Sequence, residues 1–317
     1  MRPVRTAFAG ALLGTLVLAG CGQAGTTATP ASSAPAAPSG EFPVTIEAGN
    51  GQVTIGKKPE RIVSLSATHT ETLFAIGAGP QVVAVDNQSN YPPEAPKTDL
   101  SGFEPNVEAI VAEKPDLVVV SDDLNKIVAE LGKVNVPVLV QPAATELDDT
   151  YEEILELGAA TGNEAKAEEV VSGMKTAMDK LAAEAPKDTK LTYYHELDQT
   201  PYAATSKTFI GQIYGIFGLT NIADKAPASA GGYPKLSAEF VAQADPDLIF
   251  LADVKCCGQS KETLAKRPGW KNLAALKNDQ VIQLDDDIAS RWGPRVVDLA
   301  EAIGAAVTEA GAGNGTS

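Results

Sequence analysis

The stretch E-A-I-V-A-E-K-P-D-L-V-V-V-S-D at residues 108–122 decides the fold, because a similar stretch, E-F-V-A-Q-A-D-P-D-L-I-F-L-A-D, follows at residues 239–253. Each copy has a glutamate seven residues before Pro-Asp-Leu, a short helical segment before that turn, and an apolar run after it. Such a run is typical of a strand buried on both faces of a parallel sheet. One unit in each half predicts two similar lobes with a cleft between them.

Strand and helix patterns alternate around each copy of the repeat, which indicates an α/β fold with right-handed connections. We predict two Rossmann-like lobes with mostly parallel sheets, joined by a long rigid helix. The N-terminal lobe should cover 42–146 and the C-terminal lobe 187–310. Connecting helices should fill 147–186, with the backbone helix at about 163–185, and residues 311–317 should form a disordered tail.

The N-terminus predicts export and a lipid anchor. Arg2 and Arg5 precede a 13-residue apolar segment at 7–19, which is shorter than the ~20 residues of a membrane-spanning helix. Residues 1–20 are therefore interpreted as a signal peptide. They run into Leu-Ala-Gly-Cys at 18–21, which resembles the bacterial lipobox and implies lipid attachment to Cys21 at the outer face of the cell membrane. An ordinary secretory signal followed by a chance cysteine is the alternative.

Composition excludes one class of partner and predicts a tether. The chain has a net charge of −16, with 25 basic against 41 acidic residues, so it repels nucleic acid and anionic surfaces. From Cys21 to about residue 41 the chain is rich in Ala, Ser, Thr, Pro and Gly, which predicts a disordered tether. The lipid should then be the sole attachment to the membrane.

An ordered set of motifs over roughly 42–310 resembles the lipid-anchored substrate-binding proteins of ABC importers for iron–siderophore complexes and cobalamin. The motifs are K-P-E-R-I-V-S-L at 58–65, T-E-T-L-F-A-I-G-A-G at 70–79, Y-P-P at 91–93, N-V-E-A-I-V-A-E-K-P-D-L-V at 106–118 and S-R-W-G-P-R at 290–295. The resemblance implies a periplasmic binding protein of the helical-backbone type, class III. It also implies a monomer without a cofactor or catalytic activity, which delivers its ligand to a permease dimer with a cytoplasmic ATPase. The ligand would be a ferric siderophore or cobalamin, and haem is the third candidate.

Glu108 and Glu239 occupy equivalent positions in the repeat, each two residues after a plausible helix N-cap, Asn106 or Ser237. By resemblance, they would present one carboxylate per lobe to arginines of the two permease subunits. The alternative is structural, because an acid in the first turn stabilises a helix by about 0.3–1 kcal/mol.

Candidate cleft residues lie after the predicted strands, where open α/β sheets bind ligands. Aromatic side chains there could hold the flat faces of a large chelate, although each could equally be ordinary packing. By resemblance, Asp287 and Arg291 match cleft positions of cobalamin binders, and Arg291 could instead bind an anionic siderophore complex or pair with Asp287 to fix the last loop. The aromatic candidates are Tyr91, Phe103, Tyr202, Tyr233 and Trp292.

His69 and His195 are the two histidines of the chain, and both are predicted on cleft loops, one per lobe. They could be axial ligands to haem iron or cobalt, or neutral side chains that satisfy the loop backbone. Two histidines are too few for a dedicated metal-ion receptor.

Cys256 and Cys257 follow a predicted strand in an oxidising compartment. A vicinal disulfide that stiffens a cleft loop, two free thiols and a buried pair remain alternatives. Motifs for metalloproteases, nucleophile elbows, phosphate loops and dinucleotide binding are absent from the sequence. A hydrolase-like enzyme is therefore disfavoured, and a sensory lipoprotein with the same lobes is the other rival.

Overall fold

The computed structural model describes residues 41–186, 189–227 and 230–314. The predicted signal peptide, Cys21 and nearly all of the predicted tether lie outside these ranges. Among the helices that are described, none combines the length and the apolar character needed to cross a bilayer.

The N-terminal lobe is built on a parallel sheet in the order β4-β3-β5-β6, preceded by an antiparallel hairpin. The Gly-Asn-Gly turn at 49–51 makes this hairpin predictable from the sequence. The strands of the lobe are β1 (Val44–Ala48) and β2 (Gly51–Ile55) in the hairpin, then β3 (Ile62–Ser64), β4 (Val82–Val85), β5 (Leu117–Val120) and β6 (Val138–Val140).

The C-terminal lobe has its own sheet, in which β11, β10 and β7 are parallel neighbours. Two short strands also pair with β7, β8 antiparallel and β9 parallel. The two sheets share no strand, which confirms the prediction of two separate, mostly parallel lobes. The strands are β7 (Thr192–Asp198), β8 (Tyr202–Ala203), β9 (Thr220–Asn221), β10 (Leu248–Leu251) and β11 (Val281–Gln283).

The α-helices cover the sheets and connect the lobes. In the first lobe they are α1 (Ala67–Ala75), α2 (Val107–Ala112) and α3 (Ile127–Gly132), and the connecting pair is α4 (Leu147–Thr161) and α5 (Glu164–Glu184). In the second lobe they are α6 (Phe209–Gly215), α7 (Ala238–Ala244), α8 (Val254–Cys257), α9 (Lys261–Leu264), α10 (Ala274–Lys277), α11 (Asp286–Ser290) and α12 (Val296–Asn314).

The repeated apolar runs are buried on both faces, as their composition predicts. In β10, Leu248 and Phe250 belong to a core that is continuous between the lobes, whereas Ile249 and Leu251 belong to an outer core of the second lobe. Strand β5 alternates in the same way between the shared core and an outer core of the first lobe. Because side chains alternate across a strand, one repeat unit serves two hydrophobic layers.

The connecting helices give the lobes a common core. Helix α4 ends at Gly162 in the left-handed region (φ 65°), and α5 turns back against it. Gly158 permits the close approach, because a Cβ at this position would lie 2.5 Å from the Cβ of Ala167. Met174 and Met178 of α5 are buried in the core that also contains strands of both lobes. Because α5 is packed into a core that both lobes share, it should be a stiff connection between them.

Two boundaries differ from the prediction. The sequence at 124–131 predicts one helix, but the structure has a 3₁₀ turn at Leu124–Lys126 followed by α3, because Asn125 and Lys126 both have positive φ. The predicted disordered tail is wrong up to Asn314, where α12 ends. The apolar spacing continues to Ala310, which is buried in the shared core, so this face still has a packing partner.

Candidate functional site

A cavity of about 360 Å³ lies between the lobes at the carboxyl ends of β3, β4 and β5. The first lobe contributes apolar, hydroxyl and acidic side chains, and the second lobe contributes α11 and the residues after it. The residues that line the cavity include Ser66, Asp86, Gln88, Phe103, Ser121, Asp122, Leu124, Asp287, Arg291 and Trp292. The cavity is at the low end of the ~300–1,000 Å³ usual for ligand sites.

The cavity wall is acidic on the first-lobe side. Asp86 is buried at the end of β4, and its carboxylate accepts a hydrogen bond from Ser89 at 2.5 Å. Burial raises the pKa of Asp86 against the opposing effects of that hydrogen bond and of Arg291. Asp122 is exposed and closes the first copy of the sequence repeat. These two carboxyl groups make the first-lobe side of the wall acidic.

A network of ion pairs joins the lobes across the cavity wall. Glu71 of α1 accepts hydrogen bonds from Arg291 and Arg295, at 2.5–2.7 Å. Arg291 also donates to Asp287 at 2.8 Å, so the predicted Asp–Arg pair exists. Burial would raise the pKa of Asp287, but the charge of Arg291 and bonds from two other side chains outweigh it and lower the pKa.

Sequence reasoning missed Glu71 and Arg295. A signal for each was present: Glu71 is the one charged residue in the run Thr70–Ile76, and Arg295 ends the S-R-W-G-P-R motif that also contains Arg291. Neither signal identifies the partner, because Glu71 and Arg291 are 220 positions apart in the chain.

The prediction that the histidines lie on cleft loops is wrong. His69 is in α1 and His195 is in β7, and each is 1% exposed. His195 Nδ1 is 2.8 Å from the Tyr214 hydroxyl, and burial lowers the pKa of His195 to about 4, so its ring is neutral. Neither histidine lines the cavity. Because α1 begins at Ala67 and β7 continues to Asp198, both histidines lie inside regular elements rather than in loops.

His69 nevertheless has a connection to the cavity wall. Its Nε2 is 3.6 Å from Glu153 Oε2, and the same carboxylate oxygen accepts a hydrogen bond from Trp292 Nε1 at 3.0 Å. The His69 and Trp292 rings meet edge to face. His69 therefore contacts the cavity-lining Trp292 without lining the cavity itself.

The aromatic candidates divide into two groups. Phe103, 73% exposed, and Trp292 line the interlobe cavity. Tyr91, Tyr202 and Tyr233 do not. Tyr91 lies under the guanidinium of Arg295, and Tyr202 lies near the ammonium of Lys235. Tyr91 and Tyr202 thus contact cationic side chains instead of lining the cavity. Spacing along the chain does not determine the direction in which such a side chain points.

Cys256 and Cys257 lie in the short helix α8 rather than in a loop, and their sulfurs are paired as a vicinal disulfide. The N-terminus of α8 is held by Asp286, which accepts the backbone N–H groups of Val254, Lys255 and Cys256 at 2.8–3.0 Å. Lys255 Nζ donates to Asp287 at 3.1 Å. The cysteine pair is thus attached to α11, which carries part of the cavity wall.

Glu108 and Glu239 are both exposed in the first turns of α2 and α7. The predicted N-caps are confirmed, since the side chains of Asn106 and Ser237 accept backbone N–H groups at 3.0 and 3.1 Å. Ile110 and Val241, two residues after each glutamate, are buried in the outer cores of their lobes. Each helix therefore fixes its glutamate on the outside of a separate lobe.

Known proteins match both this fold and this sequence. A family model described as periplasmic binding protein matches residues 62–288. A Bacillus subtilis protein named as an uncharacterized ABC transporter substrate-binding lipoprotein, YvrC, is 32% identical over 93% of this chain and 96% of its own length. The chain belongs to the periplasmic binding protein family. It has the architecture and function of an ABC transporter substrate-binding protein.

Two further matches concern relatives of this family with stated ligands. A cobalamin-binding protein of Halobacterium salinarum is 30% identical over 85% of this chain and 75% of its own. A solved structure of a possible iron-binding, periplasmic solute-binding protein from Staphylococcus epidermidis superposes with a TM-score of 0.67 at 28% identity, covering 78% of this chain and 99% of that one. The family is one of substrate-binding proteins, not of enzymes.

Within this binding protein, the last residue of the repeat is an aspartate in both copies, but its environment differs between the lobes. Asp253, the counterpart of Asp122, is fully buried, and neither carboxylate oxygen has a hydrogen-bond partner in the described chain. Burial, together with the charge of nearby Glu196, raises the pKa of Asp253 to about 7. The same repeat position therefore lines the cavity in one lobe and is enclosed in the other.

Replacing Asp253 by Asn should stabilise the protein at pH 8 but not at pH 4. The unfolded carboxyl titrates near pH 4 and the folded one near 7, so the folded state loses stability as pH rises through this window. About 1.4 kcal/mol per pKa unit gives a gain on the order of a few kcal/mol above pH 7. Urea unfolding at both pH values measures it. Asp122→Asn, at an exposed side chain, should change little, and an equal gain at pH 4 would contradict the explanation.

Proposed function

We propose that this binding protein captures a corrinoid of the cobalamin class in the interlobe cavity and delivers it to an ABC permease. The observation that carries the choice of ligand is the charge of the cavity wall. Asp86, Asp122 and Asp287 line it, against one basic residue, Arg291, among the described residues that line it. A neutral chelate with many amide groups suits such a wall, whereas an anionic ferric complex does not.

The polar and apolar groups of the cavity support the same class of ligand. Ser66, Gln88 and Ser121 offer hydroxyl and amide groups that can hydrogen-bond to peripheral amides. Phe103, Leu124 and Trp292 supply apolar surface for the flat face of a macrocycle. The cobalamin-binding relative from Halobacterium adds support from sequence.

The enclosed histidines bear on the haem alternative. An axial ligand must reach the metal, and His69 and His195 are each 1% exposed and do not line the cavity. Coordination by either ring would require α1 or β7 to open. We therefore propose a corrinoid rather than haem as the ligand.

Glu108 and Glu239 are the proposed docking residues. Their exposed carboxylates sit on separate lobes, at the start of helices that are anchored by one fully buried side chain each. Such rigid, exposed charges orient an encounter with a partner of opposite charge more than they add affinity. The partner would be a permease dimer with a cytoplasmic ATPase, and Cys21 would hold the receptor at the outer face of the membrane through its lipid.

Truncating Phe103 should weaken the binding of cyanocobalamin without disturbing the fold. The ring is 73% exposed in the unliganded protein and should be covered by the ligand. Burying a Phe side chain contributes about 1.5–3 kcal/mol, so Phe103→Ala should raise the Kd roughly tenfold to a hundredfold. Isothermal titration calorimetry at neutral pH provides the measurement.

Tyr202→Ala is the matched control, because Tyr202 is also an exposed aromatic residue but lies outside the cavity lining. Its Kd should equal that of the wild type. A loss of affinity in Tyr202→Ala but not in Phe103→Ala would move the site elsewhere. Tighter binding of ferric citrate than of cyanocobalamin by the wild type would contradict the proposed ligand class.

A further inference from the structure

Glu71 is a buried carboxylate whose role the receptor function alone does not explain. It lies in α1 of the first lobe, is 3% exposed, and accepts three hydrogen bonds from the guanidinium groups of Arg291 and Arg295 in the second lobe. Charge-assisted bonds of this kind are short and strong. Glu71 therefore fixes the position of the Arg291 side chain relative to the first lobe.

Arg291 is the cavity-lining residue that an anionic ligand would need. Its guanidinium is bonded to Glu71 on one side and to Asp287 on another, and it also donates to the carbonyl of Gln88 at 3.1 Å. Both terminal nitrogens of the guanidinium thus donate to protein groups, in three hydrogen bonds. The positive charge is surrounded by two carboxylates before any ligand arrives.

The positive charge of Arg291 is compensated by the acidic side chains of the ion-pair network. Glu71 and Asp287 balance Arg291 and Arg295. Lys255 and Asp285, which adjoin Asp287, form a further balanced pair. The acids that remain at the cavity are Asp86 and Asp122 of the first lobe. Removing the charge of Glu71 alone would leave the network with one net positive charge beside the cavity.

We propose that Glu71 is a specificity-determining residue, which holds Arg291 in the cavity wall and cancels its charge so that anionic chelates are rejected. The inference rests on the proposed function, because it assumes that the chelate occupies the interlobe cavity. Glu71 acts through Arg291 and does not line the cavity. It is therefore a positioning residue whose effect is read in the choice of ligand.

The test compares the Kd values of neutral cyanocobalamin and anionic ferric citrate for the mature protein and three variants. Glu71→Gln gives the network one net positive charge, Arg295→Gln gives it one net negative charge, and the double variant restores neutrality. All three lose the Glu71–Arg295 pair between the lobes. The ratio of the two Kd values should shift toward ferric citrate by about tenfold in Glu71→Gln, stay near the wild-type value in the double variant, and shift the other way in Arg295→Gln.

Ionic strength gives a readout that a merely structural role would not move. The gain for ferric citrate in Glu71→Gln should shrink as salt screens the uncovered charge. If Glu71→Gln does not fold, the double variant measured against Arg295→Gln still isolates the loss of the carboxylate and should shift the ratio toward ferric citrate.

The outcomes separate the two proposals. Parallel changes in all three variants, with cyanocobalamin bound by the wild type, would overturn the role of Glu71 and leave the proposed function standing. A wild type that binds neither probe, or prefers ferric citrate, would overturn the proposed function and the specificity role with it.

Discussion

Replacing both Glu108 and Glu239 by arginine is expected to abolish uptake of cyanocobalamin while leaving its Kd for the isolated receptor unchanged. The two carboxylates are exposed on separate lobes, outside the cavity lining, so the ligand should not sense them. Against a basic permease surface, reversal turns attraction into repulsion at two points. Juxtaposed like charges cost several kcal/mol, enough to reduce productive docking by roughly a hundredfold or more.

The measurement is accumulation of radiolabelled cyanocobalamin in cells or proteoliposomes that contain the permease, alongside equilibrium dialysis of each purified receptor. Glu168→Arg/Glu184→Arg is the matched control, because it makes the same change of net charge at exposed positions on the connecting helix α5. Uptake with the control should be normal. Equal losses with both double variants would mean that net charge, and not docking geometry, is responsible.

The second large effect is expected in the buried ion pair of the C-terminal lobe. Glu196 is fully buried in β7, where both carboxylate oxygens accept hydrogen bonds from Arg267, at 2.5 and 2.6 Å, and one also accepts from the Tyr194 hydroxyl. Arg267→Met would leave this carboxylate without a counter-charge. Breaking a buried pair from one side costs about 3–5 kcal/mol, and urea unfolding at pH 7 should show a loss of that size.

The double variant Glu196→Gln/Arg267→Met should recover much of the loss, since residue 196 then no longer carries a buried charge that lacks a counter-charge. Lys261→Met, which breaks the exposed pair with Asp279 in the same lobe, should cost less than about 1 kcal/mol. If Arg267→Met cost no more than Lys261→Met, the pair would not be an important part of the lobe's stability.

The two-lobed fold follows from local signals in the sequence. The repeated helix–turn–strand unit predicts two sheets because its apolar run of four residues must be buried on both faces, and β5 and β10 are each divided between two cores. The caps at Asn106 and Ser237 fix where α2 and α7 begin, and so place Glu108 and Glu239 in exposed first turns. These features depend on neighbours within a few residues.

The cavity was predictable only in part. Its place at the carboxyl ends of the strands follows from topology, and Phe103, Asp287, Arg291 and Trp292 do line it. The burial of His69 and His195 did not follow, because the residues predicted as cleft loops belong to α1 and β7. Element boundaries are set by packing against distant residues, which the local pattern does not record.

The amino-acid sequence by itself determined two α/β lobes, the helical connection between them and the exposed repeat glutamates, since periodicity and capping act over one or two turns of chain. Only the tertiary structure decided which charges meet at the cavity. Glu71 and Arg291 are separated by 220 positions, and a contact between them leaves no periodic trace in the chain. Their pairing depends on how two separately formed lobes pack around one shared core, and that packing decides whether the arginine is free to attract a ligand.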